Sequence, residues 1–253
     1  MSARGLATLF RKETQRFLRV PGQTLATPLV TTTLYFVVFG YSLGGNLRTV
    51  EGVPYVRFIV PGLVTLGVLT NAFLNTSSSL FIMKMQGTIV DLLVTPLSYG
   101  EILAAFVGAA VLRALIVGGL TWLVAGAFTS FSVAYPLVAL GFLVLVAIAF
   151  GALGLCVSIW AEKFEQVNFV PTFVITPLTF LGGVFYSIDM LPPALRAFTL
   201  ANPIFYLVDG VRFGMLGISD GRVGLAAAAV ALLAAGSLGA AYAMLKSGYK
   251  LRG

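Results

Sequence analysis

Residues 114–161 read ALIVGGLTWLVAGAFTSFSVAYPLVALGFLVLVAIAFGALGLCVSIWA, and no charged side chain interrupts them. Arg113 and Glu162 bound the stretch. It is long enough for most of two helical membrane crossings, each of which needs roughly 20 apolar residues. Outward from it the pattern repeats. No charge occurs between Arg19 and Arg48, Arg57 and Lys84, Glu165 and Asp189, or Arg222 and Lys246. Only 10% of the 253 residues are charged and 58% are hydrophobic, whereas a soluble domain carries roughly 25% charged residues. The runs therefore predict an all-α integral membrane protein with six transmembrane helices, over 23–45, 58–83, 102–128, 134–160, 166–188 and 223–245. Residues 1–253 read as one transmembrane domain.

Absences narrow the chemistry. The chain has no histidine, which removes a histidine base, an imidazole metal ligand and a histidine pH switch. Its one cysteine, Cys156, lies in an apolar run and has no intrachain partner for a disulfide. No G-x-x-x-x-G-K-[ST] motif occurs, so the chain does not itself cradle a nucleotide in a P-loop. No catalytic residue, metal site or bound cofactor is expected. The net charge of +7 is dispersed and flanks the predicted spans, which fits membrane orientation rather than nucleic-acid binding.

Residues 1–20 predict an amphipathic helix lying on membrane lipids. Leu6, Phe10 and Phe17 share one face, and Arg4, Arg11, Lys12 and Arg19 occupy the other, a pattern suited to an anionic headgroup layer. A cleaved signal peptide competes with this reading, but the basic segment is long and the apolar run oversized, which favours a retained anchor. Six spans place both termini on one side. That side carries ten Lys and Arg, against five (Arg48, Arg57, Arg196, Arg212, Arg222) on the other. The positive-inside rule puts both termini in the cytoplasm.

Two segments are not simple spans. Residues 84–101, KMQGTIVDLLVTPLSYGE, predict a short cytoplasmic helix with Ile89, Leu92 and Leu93 as an apolar edge. Thr88 and Asp91 are spaced like a capping box, and Thr95-Pro96 ends the helix. A docking surface for a cytoplasmic partner and a turn lying on the headgroups both fit. Residues 189–221 are external and apolar, yet broken by Pro192-Pro193 and Pro203. Two short helices near 190–200 and 203–217 fit, as a re-entrant hairpin packed on protein, with Gly210, Gly214 and Gly217 allowing close approach.

Several side chains invite a functional reading. Arg113 is the one charge well inside a predicted span, and Asn71, Asn75 and Ser78 or Ser79 form a polar stripe that can receive it. An inter-helix hydrogen-bond cluster comes first, a substrate or gating contact second. Tyr35, Phe36 and Phe39, with Phe180, Phe185 and Tyr186, can line an amphipathic path or simply pack. Asp209 and Arg212, three residues apart, can pair on one helix. Gly40-Tyr41-Ser42-Leu43-Gly44 matches G-x-S-x-G, but the chain has no histidine to activate Ser42, so packing explains the glycines better.

NPIFYLVDGVRFGMLG after FLGGVFYSIDMLPP, together with GTIVDLLVTPLS in the earlier loop, resembles the permease subunits of bacterial ABC-2-type exporters, closest to the multidrug or polysaccharide export branch. The resemblance covers nearly the whole chain. It implies a homodimer in the bacterial inner membrane, docked on two copies of an ATPase subunit that binds ATP and Mg. It also implies a coupling role for Thr88, Asp91, Leu92, Thr95 and Pro96. Relatives commonly carry two adjacent acids in that loop, whereas this chain has Val90-Asp91. Glu162 and Phe164, in the shorter loop, form a second ATPase contact or an ordinary turn. An ion-gradient-driven transporter is the alternative, disfavoured because no acid or histidine lies in mid-span.

Overall fold

Tyr55–Met85 forms one unbroken helix, and the rest of the protein is arranged around it. The computed structural model describes residues 3–43, 49–129 and 132–251. Gly44, Arg48 and Arg252, which enter the serine-motif match and the charge count, lie outside the described residues. The elements in chain order are α1 (Ala3–Leu18), α2 (Thr27–Tyr35), a hairpin of β1 (Thr49–Val50) and β2 (Val53–Pro54), α3 (Tyr55–Met85) and α4 (Ile89–Leu93). Then follow α5 (Tyr99–Ala125), α6 (Pro136–Trp160), α7 (Phe164–Phe169), α8 (Thr176–Phe180), α9 (Pro193–Ala201), α10 (Pro203–Leu216) and α11 (Val223–Ser247).

Among the described residues, four helices are long and apolar enough to cross a membrane: α3, α5, α6 and α11. They correspond to the second, third, fourth and sixth predicted spans. The other two predicted spans are segmented. Wide π turns at Gly22–Ala26 and Phe36–Leu43 flank α2, and another at Val170–Ile175 joins α7 to α8. Proline explains the turns at Gly22–Ala26 and Val170–Ile175, though not the one at Phe36–Leu43, which holds no proline. Pro28, Pro171 and Pro177 each lack an N–H and crowd a preceding carbonyl, and a wider turn relieves that conflict. The fifth run also stops at Phe180 rather than 188. Gly182 packs against Ile204 there and Gly183 turns the chain at φ +75°, a conformation that glycine adopts without strain.

Close packing follows from small residues. A Cβ on Gly214 would lie 2.5 Å from the Ala139 backbone nitrogen, and one on Gly154 would lie 2.5 Å from the Phe73 carbonyl. Thus α10 is pressed onto α6, and α6 onto α3, as small-residue interfaces permit where water supplies no driving force. Gly210 meets the Phe142 ring in the same way, while Gly217 instead ends α10 in a left-handed cap. Ala226, Val230, Ala234, Ser237, Ala241 and Leu245 are the buried residues of α11. Their three- and four-residue spacing is a single helical stripe.

Candidate functional sites at the two ends and in the middle of the bundle

The end of the bundle near the chain termini is built on α3. Glu13 is fully buried on the same face of α1 as Leu9 and Phe17. Its Oε2 accepts from Ser79 Oγ at 2.6 Å and from Arg16 Nε at 3.1 Å. Arg16 Nη2 donates to the Asn75 carbonyl at 2.7 Å and to Asn75 Oδ1 at 3.0 Å. The amphipathic helix therefore has a polar seam as well as the predicted apolar face. Arg4, Arg11, Lys12 and Arg19 remain exposed. The predicted receptor for Arg113 is divided: Asn75 and Ser79 serve α1, and Asn71 alone meets Arg113, through Nη2 to Oδ1 at 3.0 Å.

The loop after α3 differs from expectation in which side it shows. Ile89 and Leu92 are buried against Leu9, Met83 and Phe106, so they are not an exposed apolar edge. Val90 and Val94, four residues apart, are the exposed apolar pair, with Asp91 exposed between them. Leu92 is thus removed from the set of surface contact residues. Thr88 makes no side-chain cap for α4; its Oγ1 donates to the Met83 carbonyl at 3.3 Å. The capping box sits one helix later, where Ser98 and Glu101 close the start of α5 with bonds of 2.8 and 3.3 Å. Thr95 Oγ1 donates to the Leu92 carbonyl at 2.7 Å, just before Pro96. A groove of about 700 Å³ separates this segment from α1, with Lys12, Arg16, Gln86, Thr88, Asp91 and Pro96 among its walls.

Beside it, the short loop after α6 is pinned twice. Lys84 Nζ donates to the Ile159 and Ala161 carbonyls at 2.8 Å each, closing the C-terminal end of α6. Glu162 pairs with Lys250 at 2.5 Å. That hydrogen bond and the charge of Lys250 hold the Glu162 carboxyl below its ordinary range. Phe164 stays 57% exposed, its ring 6.1 Å from that of Phe81.

The aromatic set divides as well. Phe185 contacts Phe39 (4.4 Å between centroids), Phe180 (5.4 Å) and Tyr35 (5.7 Å), which joins the first and fifth predicted spans. Phe36 is fully buried and stacks on Phe128 instead, so it faces away from that cluster. Tyr186 is half-buried and outside these ring contacts, and its hydroxyl has no hydrogen-bond partner among the described residues.

At the opposite end, Arg212 does not pair with Asp209. Its Nη1 lies 2.7 Å from Asp220 Oδ2 with both side chains fully buried, its Nη2 donates to the Gly183 carbonyl, and its guanidinium sits 4.2 Å over the Phe58 ring. Asp209 accepts from the Asp220 backbone N–H at 2.7 Å and from Ser219 Oγ at 2.8 Å. Ser187 Oγ lies 2.5 Å from Glu51 Oε1 and 2.6 Å from Asp220 Oδ1. A hydroxyl has one proton, so it cannot donate to both, and one carboxyl must donate to it. Contact with Asp220 and then burial push the Glu51 carboxyl up to about 7, which makes it the readier proton holder of the two acids. Burial pushes Asp220 upward too, but contact with Glu51 and the charge of Arg212 outweigh it and hold its carboxyl below the ordinary range. Sequence reasoning missed Glu13, Glu51, Ser187 and Asp220. Only Glu13 left a signal, as the single acid before Glu51, placed three residues from Arg16.

The family model described as ABC-2 type transporter matches residues 4–216. The inner membrane transport permease YadH of Escherichia coli (strain K12) is 44% identical over 216 residues, covering 85% of this chain and 84% of its own. Nodulation protein J of Rhizobium leguminosarum bv. viciae is 30% identical over 191 residues, covering 75% and 73%. The match takes in α1, the α4 segment and α10, the parts that a bundle of apolar spans would not by itself require. The chain belongs to the ABC-2 type transporter family and is a membrane permease subunit of that kind.

Proposed function

We propose that this permease works in export, as two copies side by side on two copies of a separate ATP-binding subunit that carries ATP and Mg. Permeases of this type work with ATP-binding partners. The observation that carries the coupling role is the outward face of α4. Val90, Asp91 and Val94 are exposed while Ile89 and Leu92 root the same turn in the core, so a force on the exposed face passes to α3 and α5. Thr88, Thr95 and Pro96 border this contact, and Glu162 and Phe164 extend it across the neighbouring loop.

In this reading the chain crosses the bacterial inner membrane six times, counting the segmented runs 22–43 and 164–180, with both termini cytoplasmic. The α9–α10 pair re-enters from outside. Tyr35, Phe39, Phe180 and Phe185 then border the substrate path, and Asn71, Asn75, Arg113, Asp209 and Arg212 hold its polar neighbours. ATP binding by the partner favours one permease conformation over the other only as far as the partner's affinity for the two differs.

The test is co-purification with the candidate ATPase and measurement of its turnover. Asp91→Arg lowers both at unchanged permease abundance. Solute movement by the isolated chain in liposomes under a proton gradient alone would overturn the reading.

A further inference from the structure

Arg113 stands at the middle of α5, buried, with no acid paired to it among the described residues. Its Nη2 is held by Asn71 Oδ1, whereas its Nε is buried without an acceptor among the described residues. The carboxylate of the nearby seam, Glu13, is already matched to Arg16. Asn71 gives its own amide hydrogen to the Gly67 carbonyl at 3.0 Å, which fixes its oxygen toward the arginine. A guanidinium at such depth, met by one neutral oxygen, is an incomplete arrangement.

The same guanidinium lines a pocket of about 300 Å³. Leu63, Leu66 and Leu74 form its apolar wall, and exposed Thr31, Thr176 and Phe180 form its mouth between the two segmented helices. The hydroxyls of Thr31 and Thr176 donate to the Thr27 and Pro171 carbonyls, at 3.0 and 2.8 Å. Arg113 is the one charged side chain among the described lining residues and so the strongest donor there. A positive fork at the inner end of an apolar slot recognises a phosphate, sulfate or carboxylate with an alkyl group attached. The volume is at the small end of ligand pockets, which run from roughly 300 to 1,000 Å³. That suits one chain rather than a two-chain lipid.

We infer that this pocket binds the anionic headgroup of a single-chain amphipathic molecule, with the first carbons of its chain against Leu63, Leu66 and Leu74. As a station on the transport path this rests on the export reading; as a binding site it does not.

The test uses the full chain purified in a neutral maltoside detergent, titrated calorimetrically without any ATPase. Dodecyl phosphate binds saturably, at least about tenfold tighter than dodecyltrimethylammonium. Arg113→Gln weakens it at least about tenfold and Arg113→Lys much less. Equal affinity for the cationic amphiphile, for inorganic phosphate or for dioleoylphosphatidylglycerol would overturn the inference. The last two outcomes mark a bare anion site or a structural lipid site. If Arg113→Gln does not accumulate, Leu66→Trp fills the pocket and leaves the charge in place. Binding that survives that filling also overturns it. Failure here leaves ATPase coupling untouched, and failure of coupling leaves this binding untouched.

Discussion

Glu13 of α1 accepts a 2.6 Å hydrogen bond from Ser79 of α3, across 66 residues of sequence and in a fully buried setting. With the Arg16–Asn75 bonds it fixes the rotation of α1 about its own axis. A helix that only floated on lipid would need no such buried acid.

Removing that acceptor has a defined cost. Glu13→Ala leaves Ser79 and Arg16 without their shared carboxylate, and a charged hydrogen bond of this kind is worth about 2 kcal/mol. Thermal unfolding in neutral detergent measures it, with exposed Lys12→Ala as the control. Equal melting temperatures for the two variants would remove the seam from any structural role. Glu13→Gln, which keeps an oxygen for Ser79, falls between them.

The glycine contacts predict opposite signs at two positions. Gly214→Ala drives a methyl into the Ala139 backbone and destabilises by about 1–3 kcal/mol, because backbone cannot step aside as a side chain can. In α11, Gly239 has nothing within 4 Å of where its Cβ would be. Gly239→Ala gains the better helix propensity, up to about 1 kcal/mol. Paired melting curves decide it, and a loss at Gly239 comparable to that at Gly214 would contradict the packing.

Within α4, structural and contact roles separate by residue. Leu92→Ala empties a buried site and lowers stability by about 2–3 kcal/mol. Val94→Asp, at 76% exposure, leaves the melting temperature unchanged and lowers retention of the ATPase on an affinity column. The pattern fails if Val94→Asp unfolds the permease or if Leu92→Ala is silent.

Acidity acts through Glu51. Its carboxyl is raised to about 7 in the folded protein from an ordinary value of 4.5, so the folded state holds the proton more tightly than the unfolded chain. The stabilisation is full below about 4.5 and is lost as pH rises through about 7. Solvent screening of this partly exposed acid limits it to about 1 kcal/mol. Melting temperature is therefore higher at pH 5 than at pH 8, and Glu51→Gln flattens the difference. A slope unchanged in that variant would place the titrating group elsewhere.

The four long helices were legible because nothing but charge and proline placement delimits them. Tyr55–Met85 and Tyr99–Ala125 begin and end within three residues of the predicted spans 58–83 and 102–128. The segmented runs were legible as apolar stretches but not as π turns: Pro171 and Pro177 are visible in the sequence, whereas how the freed carbonyls resettle depends on neighbours. Of the coupling segment, position was readable and facing was not. Ile89 and Leu92 look like an exposed edge until Leu9 and Phe106 are brought against them. Arg212 had a plausible partner three residues away in Asp209, and the chain reversal at Gly217, which returns Asp220, has no local sign beyond one glycine. The Glu51–Ser187–Asp220 contact joins three distant loops, and no spacing rule reaches that far.

The run from Phe164 to Phe180 is only seventeen residues long. At 1.5 Å per residue it rises at most about 25 Å, short of the roughly 30 Å hydrocarbon slab. The 31 residues of α3 exceed that thickness. In the six-span arrangement this peripheral run and the central helix α3 therefore call for different membrane thicknesses. Hydrophobic mismatch is relieved by thinning the bilayer beside the short run. Thr176 and Phe180 lie on that run, at the mouth of the Arg113 pocket, so the headgroup layer is drawn toward the one buried cation of the long helices that, among the described residues, has no acid paired to it.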